Sequence, residues 1–184
     1  MPELSFDRLF QCNAENDKST NLQLGVYMGY ASLTVFSNSK IIAKFPWHRS
    51  FLTLLRRGLS KIIDGKPGEK IHYPITKYDF ENKKFTPLGS LFVGKDDKAI
   101  IFLGVAVPNH ASMKFLLRTP MSFDLSEPMS DAVRSEIAAA TLVDQLALDF
   151  PLAMALTSFK REAGTQRTGG NTGGNRTEDS NIFG

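Results

Sequence analysis

The sequence has little that is typical of an enzyme or a metal site. Its one cysteine, Cys12, excludes an intramolecular disulfide and suits a reducing compartment. The three histidines, His48, His72 and His110, lie far apart without a cysteine or carboxylate at ligand spacing, so we expect no metal and no other cofactor. No glycine-rich phosphate loop, nucleophile elbow or paired histidine and carboxylate motif occurs. We therefore expect a protein that acts without catalysis.

Long hydrophobic runs are missing too. No stretch of 18 apolar residues occurs, so we expect no membrane partner. The first ten residues lack the basic start and apolar core of a signal peptide, which predicts a soluble protein that is not exported. The chain has 184 residues, of which 42% are apolar, enough for one folded domain. We predict an N-terminal arm over residues 1–20, a domain over 21–162 and a tail over 163–184.

Positive charge is concentrated in one stretch of the chain. Residues 40–84 contain eleven basic and four acidic side chains, a balance of +7, whereas the whole chain carries only +3. Aromatic residues are interleaved with these bases. Cations between flat rings are typical of single-stranded nucleic-acid binding, because the charges bind phosphates and the rings stack on unpaired bases. A solvated basic face over an ordinary aromatic core explains the same pattern.

The pattern predicts two units, each with several strands followed by a helix. In the first unit, strands are expected over residues 22–28, 30–37 and 40–45, with Lys40, Ile42 and Lys44 sharing one face of the third. Pro46 is expected to end that strand, and a helix is predicted over residues 47–64, before Gly65 and Pro67.

The second unit repeats this order over a longer stretch. A hairpin is predicted around residues 81–83, then strands in 89–94, 99–107 and 113–118. Ser130 is the expected N-cap of a helix that runs to about residue 149, with Pro151 kinking or ending it. Its predicted buried stripe is Val133, Ile137, Ala140, Val143, Ala147 and Phe150, broadened by Leu142 and Leu146. The expected fold class is α+β, with antiparallel sheets packed on helices.

This ββββα-type order resembles the Whirly fold and the single-strand-binding fold of eukaryotic transcriptional coactivators, with relatives among phage proteins. The resemblance covers about residues 20–155. The lysine-glycine-lysine-alanine-alanine-leucine signature of plant Whirly proteins is absent, and residues 94–99 only echo it. No transit peptide precedes the domain. The resemblance therefore implies a phage or bacterial protein that acts in the cytoplasm of a bacterium or an infected host cell.

The end of the chain is similar to the tail of bacterial single-stranded DNA-binding proteins. Residues 164–184 form a glycine-rich linker with an acidic and apolar tip. The resemblance implies that replication or recombination proteins bind this tip, although only two acids remain and Gly184 follows the aromatic residue. A frayed terminus is the other interpretation. The predicted partner-binding residues are Glu178, Asp179, Ile182 and Phe183.

Together these features predict a sequence-tolerant single-stranded DNA-binding protein of replication, recombination or repair. An RNA-binding or RNA-annealing protein of the same fold and a viral structural protein with a basic partner-binding face are the alternatives. The broad apolar helix surfaces predict a homo-oligomer, with a tetramer expected. The predicted nucleic-acid-binding residues are Lys40, Lys44, Tyr73, Lys77, Tyr78, Phe80, Lys83, Lys84, Phe92, Lys114 and Arg118, with Tyr73 also open to a core role.

Overall fold

A computed structural model describes residues 8–27, 29–47, 49–119 and 129–165. Within these residues the chain forms two four-stranded antiparallel sheets and three helices, so the predicted α+β class is confirmed at this level. The first sheet is followed by one helix and the second by two. The elements in chain order are β1 (Phe10–Asn13), β2 (Thr20–Tyr27), β3 (Tyr30–Ser37), β4 (Lys40–Trp47), α1 (Arg49–Ile63), β5 (Lys70–Asp79), β6 (Lys84–Lys95), β7 (Ile101–Ala106), β8 (Met113–Leu116), α2 (Asp131–Ala147) and α3 (Asp149–Thr165).

The first sheet has the order β1-β2-β3-β4. Its first strand, β1, lies inside residues 1–20, the segment that was predicted as an arm. This part of the segment is a strand of the sheet, in which Phe10 pairs with Leu24 and Asn13 with Asn21. Its last strand includes Pro46, which was expected to end it. Because β4 is an edge strand of this sheet, a residue without an N–H group is tolerated there. Helix α1 accordingly begins two residues later than predicted.

A bulge in β4 changes which of its residues share a face. Phe36 pairs with Ile41 but Val35 pairs with Ala43, so Ile42 is the extra residue. Ile42 packs against the core and Ile41 is 56% exposed. The predicted shared face is therefore wrong, since the bulge places Lys40 and Lys44 on opposite sides of the ladder.

The second sheet has the order β5-β6-β7-β8 and contains the longer hairpin. Two short strands predicted on either side of residue 88 are one twelve-residue strand, β6. The register shifts after Ile75, which pairs with Gly89, whereas Thr76 pairs with Pro87. Gly89 has φ +155, and a Cβ there would lie 2.5 Å from the carbonyl oxygen of Ala106 and 3.1 Å from the Phe45 ring of the first sheet. The bulge therefore depends on glycine at this position.

Helix α2 begins where the sequence predicts, and its predicted buried stripe is confirmed only in part, since Leu142, Leu146 and Phe150 are buried but Ala140 is exposed. The Ser130 side chain accepts a hydrogen bond from the Val133 N–H, which confirms the predicted N-cap. Val133 itself is 45% exposed, contrary to the prediction. Pro151 lies in the first turn of α3, where its missing N–H costs little. The buried residues of α2 are Ser135, Ala139, Leu142 and Leu146.

Polar side chains tie the helices to the sheets. The fully buried Ser135 hydroxyl accepts from the Ile101 N–H at 2.8 Å. The Lys95 ammonium donates to the carbonyl oxygens of Ile63 and Gly65 at 2.7 and 3.0 Å, at the C-terminal end of α1. The Thr157 hydroxyl of α3 accepts from the N–H of Gly29 at 2.8 Å, in the β2–β3 turn. Each sheet is therefore anchored to a helix through backbone groups.

The two sheets also meet at their edges. Ala14 forms an isolated bridge with Phe115, and the Glu15 N–H donates to the Lys114 carbonyl oxygen at 2.8 Å. This contact brings the end of β1 beside β8. Buried residues of both sheets and all three helices belong to one hydrophobic cluster, including Leu33 and Leu103.

Candidate nucleic-acid interface

The hairpin of β5 and β6 carries a cluster of exposed aromatic rings. Tyr78 and Phe85 are cross-strand partners, with ring centroids 5.1 Å apart, and the Phe80 ring lies 5.0 Å from Tyr78. The exposed fractions are 36% for Tyr78, 69% for Phe85 and 80% for Phe80. Both ring contacts are edge-to-face, an arrangement that stabilises aromatic pairs without burying them. We call these three residues the ring cluster.

The turn beside the ring cluster is held by Asp79. Its carboxylate accepts hydrogen bonds from the backbone N–H groups of Glu81 and Asn82 at 3.0 and 3.2 Å, and from the Asn82 amide at 2.7 Å. These bonds, that of the Asn82 amide above all, lower the pKa of Asp79 from 3.8, with a smaller electrostatic contribution from Lys77. Lys83 has φ +50, as residues in tight turns often do. The turn is therefore ordered by its own hydrogen bonds.

Three lysines lie on the same hairpin as the ring cluster. Lys83 is in the turn, whereas Lys77 and Lys84 occupy strand positions next to Tyr78 and Phe85 and therefore lie on the opposite face of the ladder. Lys77, Lys83 and Lys84 are exposed. Within the described part of the chain, no carboxylate lies within ion-pair distance of Lys83 or Lys84. The hairpin thus combines cations and flat rings on a surface that water reaches.

The outer face of the second sheet, on which Tyr78 and Phe85 lie by register, also carries a row of side chains that runs across its strands. By register, His72, Phe92, Gly104 and Lys114 form one row across the four strands of this face. The rings of His72 and Phe92 are stacked, with centroids 4.8 Å apart and planes 14° apart. The His72 Nε2 atom lies 2.9 Å from the Ser90 hydroxyl, which orients the imidazole. Phe92 is half-buried, so part of its ring stays accessible.

Lys114, a predicted phosphate ligand, is bound by carboxylates of the protein itself. Its ammonium lies 3.0 Å from Asp96 and 3.3 Å from Glu15, and 5.0 Å above the Phe102 ring. Desolvation by burial lowers the pKa of Lys114, but its hydrogen bonds to the two carboxylates outweigh that effect and raise the pKa overall. Arg118 also has an acidic partner, Asp131, at 3.5 Å. Both cations are therefore partly neutralised within the fold.

Tyr73 lies on the inner face of the second sheet and packs against α1. Its hydroxyl donates to the Leu54 carbonyl oxygen at 3.2 Å, and its ring meets Phe51 edge to face at 6.1 Å. A Cβ at Gly58 would collide with the Tyr73 hydroxyl. This burial raises the pKa of Tyr73 above its ordinary value. Tyr73 thus packs against α1, which is the arrangement that the core interpretation of the sequence predicts.

The remaining predicted residues lie elsewhere. Lys44 is on the outer face of the first sheet, opposite Thr34, and Lys40 is at the end of the β3–β4 hairpin. Neither residue belongs to the second sheet, which carries the rings. The tail residues Glu178, Asp179, Ile182 and Phe183 lie outside the described residues.

Sequence reasoning did not include His72, Phe85, Lys70 and Phe102 among the site residues. A usable signal was present for Phe85, because it follows the predicted turn closely and Tyr78 precedes it closely, which makes them possible cross-strand neighbours. The stacking of His72 on Phe92 depends on strand register, which the sequence alone does not specify across a bulge.

Among the described residues, no group of three or more histidine, cysteine or acidic side chains is arranged to hold a metal ion. Cys12 packs against the core, and burial raises the pKa of its thiol to about 12. The thiolate is therefore scarce at neutral pH, and a reactive role for Cys12 is disfavoured.

One helical segment is long and apolar enough to pass for a membrane span. It covers Asp131–Thr157, 27 residues, and its most apolar window of 18 residues has a mean hydropathy of 1.4, with a third of that window buried in the fold. The segment comprises α2 and part of α3, whose buried side pairs with α1 and the sheets. Core helices meet the same criterion, so this single segment is weak evidence for a membrane.

Comparisons of this chain with protein-family models, with curated proteins and with solved structures found no match.

Proposed function

We propose that this protein is a single-stranded nucleic-acid-binding protein that acts without catalysis. The observation that carries the proposal is the ring cluster of Tyr78, Phe80 and Phe85 beside Lys83 and Lys84. Exposed rings of this size are uncommon on a soluble surface, and unpaired bases cover them favourably. Duplex DNA keeps its bases stacked inside, so the rings favour a single strand.

The strand we propose is DNA, bound without strict sequence preference during replication, recombination or repair in the cytoplasm of a bacterium or an infected host cell. Stacking accepts any base because every base has a flat face. Lysines of the hairpin neutralise phosphates on either side of the ring cluster. In this proposal, the two sheet-and-helix units form a Whirly-like repeat.

A homo-oligomer completes the proposal. Leu148, Leu152 and Leu156 are 70%, 60% and 45% exposed, and they follow one another at intervals of four residues from the C-cap of α2 into α3. Such a stripe supports helix-to-helix contact between copies, and a tetramer is the expected state. Size measurement by light scattering at micromolar concentration tests this part, and a monomer would contradict it.

The tail adds a second kind of partner. We propose that Ile182 and Phe183, beside Glu178 and Asp179, bind proteins of replication or recombination. Removing residues 164–184 tests this role, because pull-down of such partners should be lost while strand binding is kept. Equal capture by the truncated chain would contradict it.

Fluorescence anisotropy with a labelled single-stranded DNA oligonucleotide tests the main proposal. Across a salt series, log affinity should fall linearly with log salt, with a slope that counts the phosphates neutralised. Duplex DNA of the same sequence should compete poorly. An RNA competitor of that sequence distinguishes DNA from RNA as the preferred strand. Equal displacement by duplex and single strand would mean that the basic hairpin acts as generic charge.

A further inference from the structure

A groove of about 550 Å³ opens on the outer face of the second sheet. Phe92, Phe102 and Gly104 line it, together with Lys70, Asp97 and Ser112. It lies at the same level along the strands as the stacked His72 and Phe92 rings, because Phe92 pairs with His72 on one side and with Gly104 on the other. This level is six residues along β5 from the ring cluster, which corresponds to roughly 20 Å at the usual rise of a strand.

Two glycines give the groove its shape. A Cβ at Gly94 would lie 2.6 Å from the Phe102 ring, so this ring extends across the glycine position. A Cβ at Gly104 would lie 3.2 Å from Phe92 and 3.6 Å from Phe102, so Gly104 separates the two phenylalanines. Without side chains at these positions, the backbone between Phe92 and Phe102 stays uncovered, although Phe102 itself is only 6% exposed. This uncovered surface suits a planar ring.

The charges at the groove disfavour a phosphate. Asp97 lines the groove and is exposed, and the carboxylate of Asp96 is bound to Lys114. Lys114 in turn contacts Glu15, so its charge is already balanced. Lys95 also lines the groove, but its ammonium donates to the carbonyl oxygens of Ile63 and Gly65. The third lysine of the lining, Lys70, lies on the outer face. An uncharged flat ring therefore fits better than an anion.

We propose that this groove holds one unstacked nucleobase of the bound strand, with Phe92 as its stacking partner. The proposal rests on the proposed function and adds a second contact to the ring cluster. His72 covers one face of Phe92 and keeps its ring in place. A phosphate next to this base reaches Lys70, and phosphates several nucleotides further along the strand reach the lysines of the hairpin. The strand thus runs along β5 and β6 from the groove to the ring cluster.

A double-mutant cycle between protein ring and base tests the groove. Affinities are measured for Phe92→Leu and the wild type, each with a single-stranded oligonucleotide and with an oligomer of the same length in which every base is removed. Phe92→Leu should weaken binding of the base-bearing strand by about 5- to 150-fold, the range for one stacked base. Binding of the abasic oligomer should not change. Phe92→Tyr keeps the ring and should bind the base-bearing strand as the wild type does.

Phe36→Leu is the matched control, because Phe36 is a half-buried phenylalanine on the outer face of the first sheet. It should leave both affinities unchanged. Circular dichroism and thermal unfolding confirm that each variant is folded. Thymidine monophosphate serves as a competitor that distinguishes a base within a strand from a free nucleotide. At concentrations equal to the oligonucleotide, it should displace nothing.

The groove proposal is overturned if Phe92→Leu weakens both oligomers equally or neither, or if Phe92→Tyr binds as weakly as Phe92→Leu. Displacement by the free nucleotide would also overturn it, because the site would then serve a different ligand. In each of these cases the wild type still binds single strands, so the proposed function stands. If the wild type binds no single strand, the proposed function and the groove proposal fall together.

Discussion

The two sheets have the same strand order and carry different side chains on their outer faces. On the first sheet, this face presents small polar groups such as Gln23, Ser32 and Thr34, with Lys44 beside them. On the second sheet, it presents the stacked pair of His72 and Phe92 and continues into the ring cluster. The same backbone topology therefore supports a mainly polar surface around the half-buried Phe36 on one sheet and a surface with clustered rings on the other.

The sheets also differ in how far their hairpins extend. The β5–β6 hairpin carries exposed residues on both strands over positions 76–87, except Asp79. The β3–β4 hairpin ends in the short turn at Asn38 and Ser39, which both have positive φ. A hairpin that extends beyond the hydrophobic core has solvent on both of its faces. Aromatic rings and lysines can therefore be exposed along it. The exposed surface of rings and lysines therefore depends on strand length and side-chain choice rather than on topology.

The largest expected effect tests whether the two sheets are energetically one unit. Leu33→Ala in the first sheet and Leu103→Ala in the second each remove a fully buried side chain. Each should lower the free energy of unfolding by about 2–5 kcal/mol. Because both residues belong to one hydrophobic cluster, urea denaturation should show a single transition in each variant. Two separate transitions would mean that the sheets unfold independently.

A smaller effect is expected for the tie between the second sheet and α1. Lys95→Met removes the donor to the carbonyl oxygens of Ile63 and Gly65. The free energy of unfolding should fall by about 1.5–3 kcal/mol, the range for a hydrogen bond to a charged group. Lys70→Met, at an exposed lysine of the same sheet, is the matched control and should change stability little. Equal effects of the two substitutions on urea denaturation would contradict the capping role.

The ring cluster should affect binding and not stability. Phe80→Ala removes the most exposed ring and should weaken single-strand binding by about 1–3 kcal/mol, measured by anisotropy. Ile41→Ala provides the comparison, because Ile41 is 56% exposed on the hairpin of the first sheet. That substitution should leave the affinity unchanged. A similar loss in both variants would place the strand on both sheets.

The smallest effect concerns pH at the edge where the sheets meet. Desolvation raises the pKa of Asp96, but hydrogen bonds from the Ile100 N–H and from Lys114 outweigh it and lower the pKa from 3.8. Since the folded-state pKa lies below the unfolded value, the stabilisation is present above about pH 4 and is lost as pH falls through the folded-state pKa. The group is partly exposed, so the contribution should stay below about 1 kcal/mol.

Asp96→Asn measures that contribution directly. At neutral pH, the variant should unfold at a slightly lower urea concentration than the wild type. The difference should shrink as pH falls below about 4, because the wild-type carboxylate becomes protonated. A difference that stays constant over the acid range would show that the carboxylate charge contributes nothing.

Much of the strand layout was predictable because its signals are local. Alternation and turn residues predicted β2, β3 and the β5–β6 hairpin, and Ser130 predicted the start of α2. The buried stripe of α2 was predicted correctly only in part, because Leu142 and Leu146 are buried whereas Val133 is exposed. Ala138, Ala139 and Ala140 follow one another and leucines lie on several sides, so hydrophobic periodicity left the phase of this helix undetermined. Packing against α1 decided that phase.

The candidate site was predictable only in part. Tyr78 and Phe80 lie next to a charged turn, and proximity in sequence was enough to connect them. The bulge at Ile42 separates Lys40 from Lys44, and bulges leave only a faint trace in an alternating pattern. The role of Phe92 depended on its neighbours His72 and Gly104, which lie on other strands.

By itself, the amino-acid sequence determined that this chain forms strands and helices in a given order. It also determined that basic and aromatic side chains are concentrated between residues 40 and 85. Backbone preferences and charge counts follow from residues close together in the chain, which is why they can be deduced without coordinates. Only the tertiary structure decided which lysines and rings remain available. Lys114 forms an ion pair with Glu15, which lies just after β1, about 100 residues earlier in the chain. Tyr73 is covered by α1. Both contacts exist because folding brings together residues that are distant in the sequence.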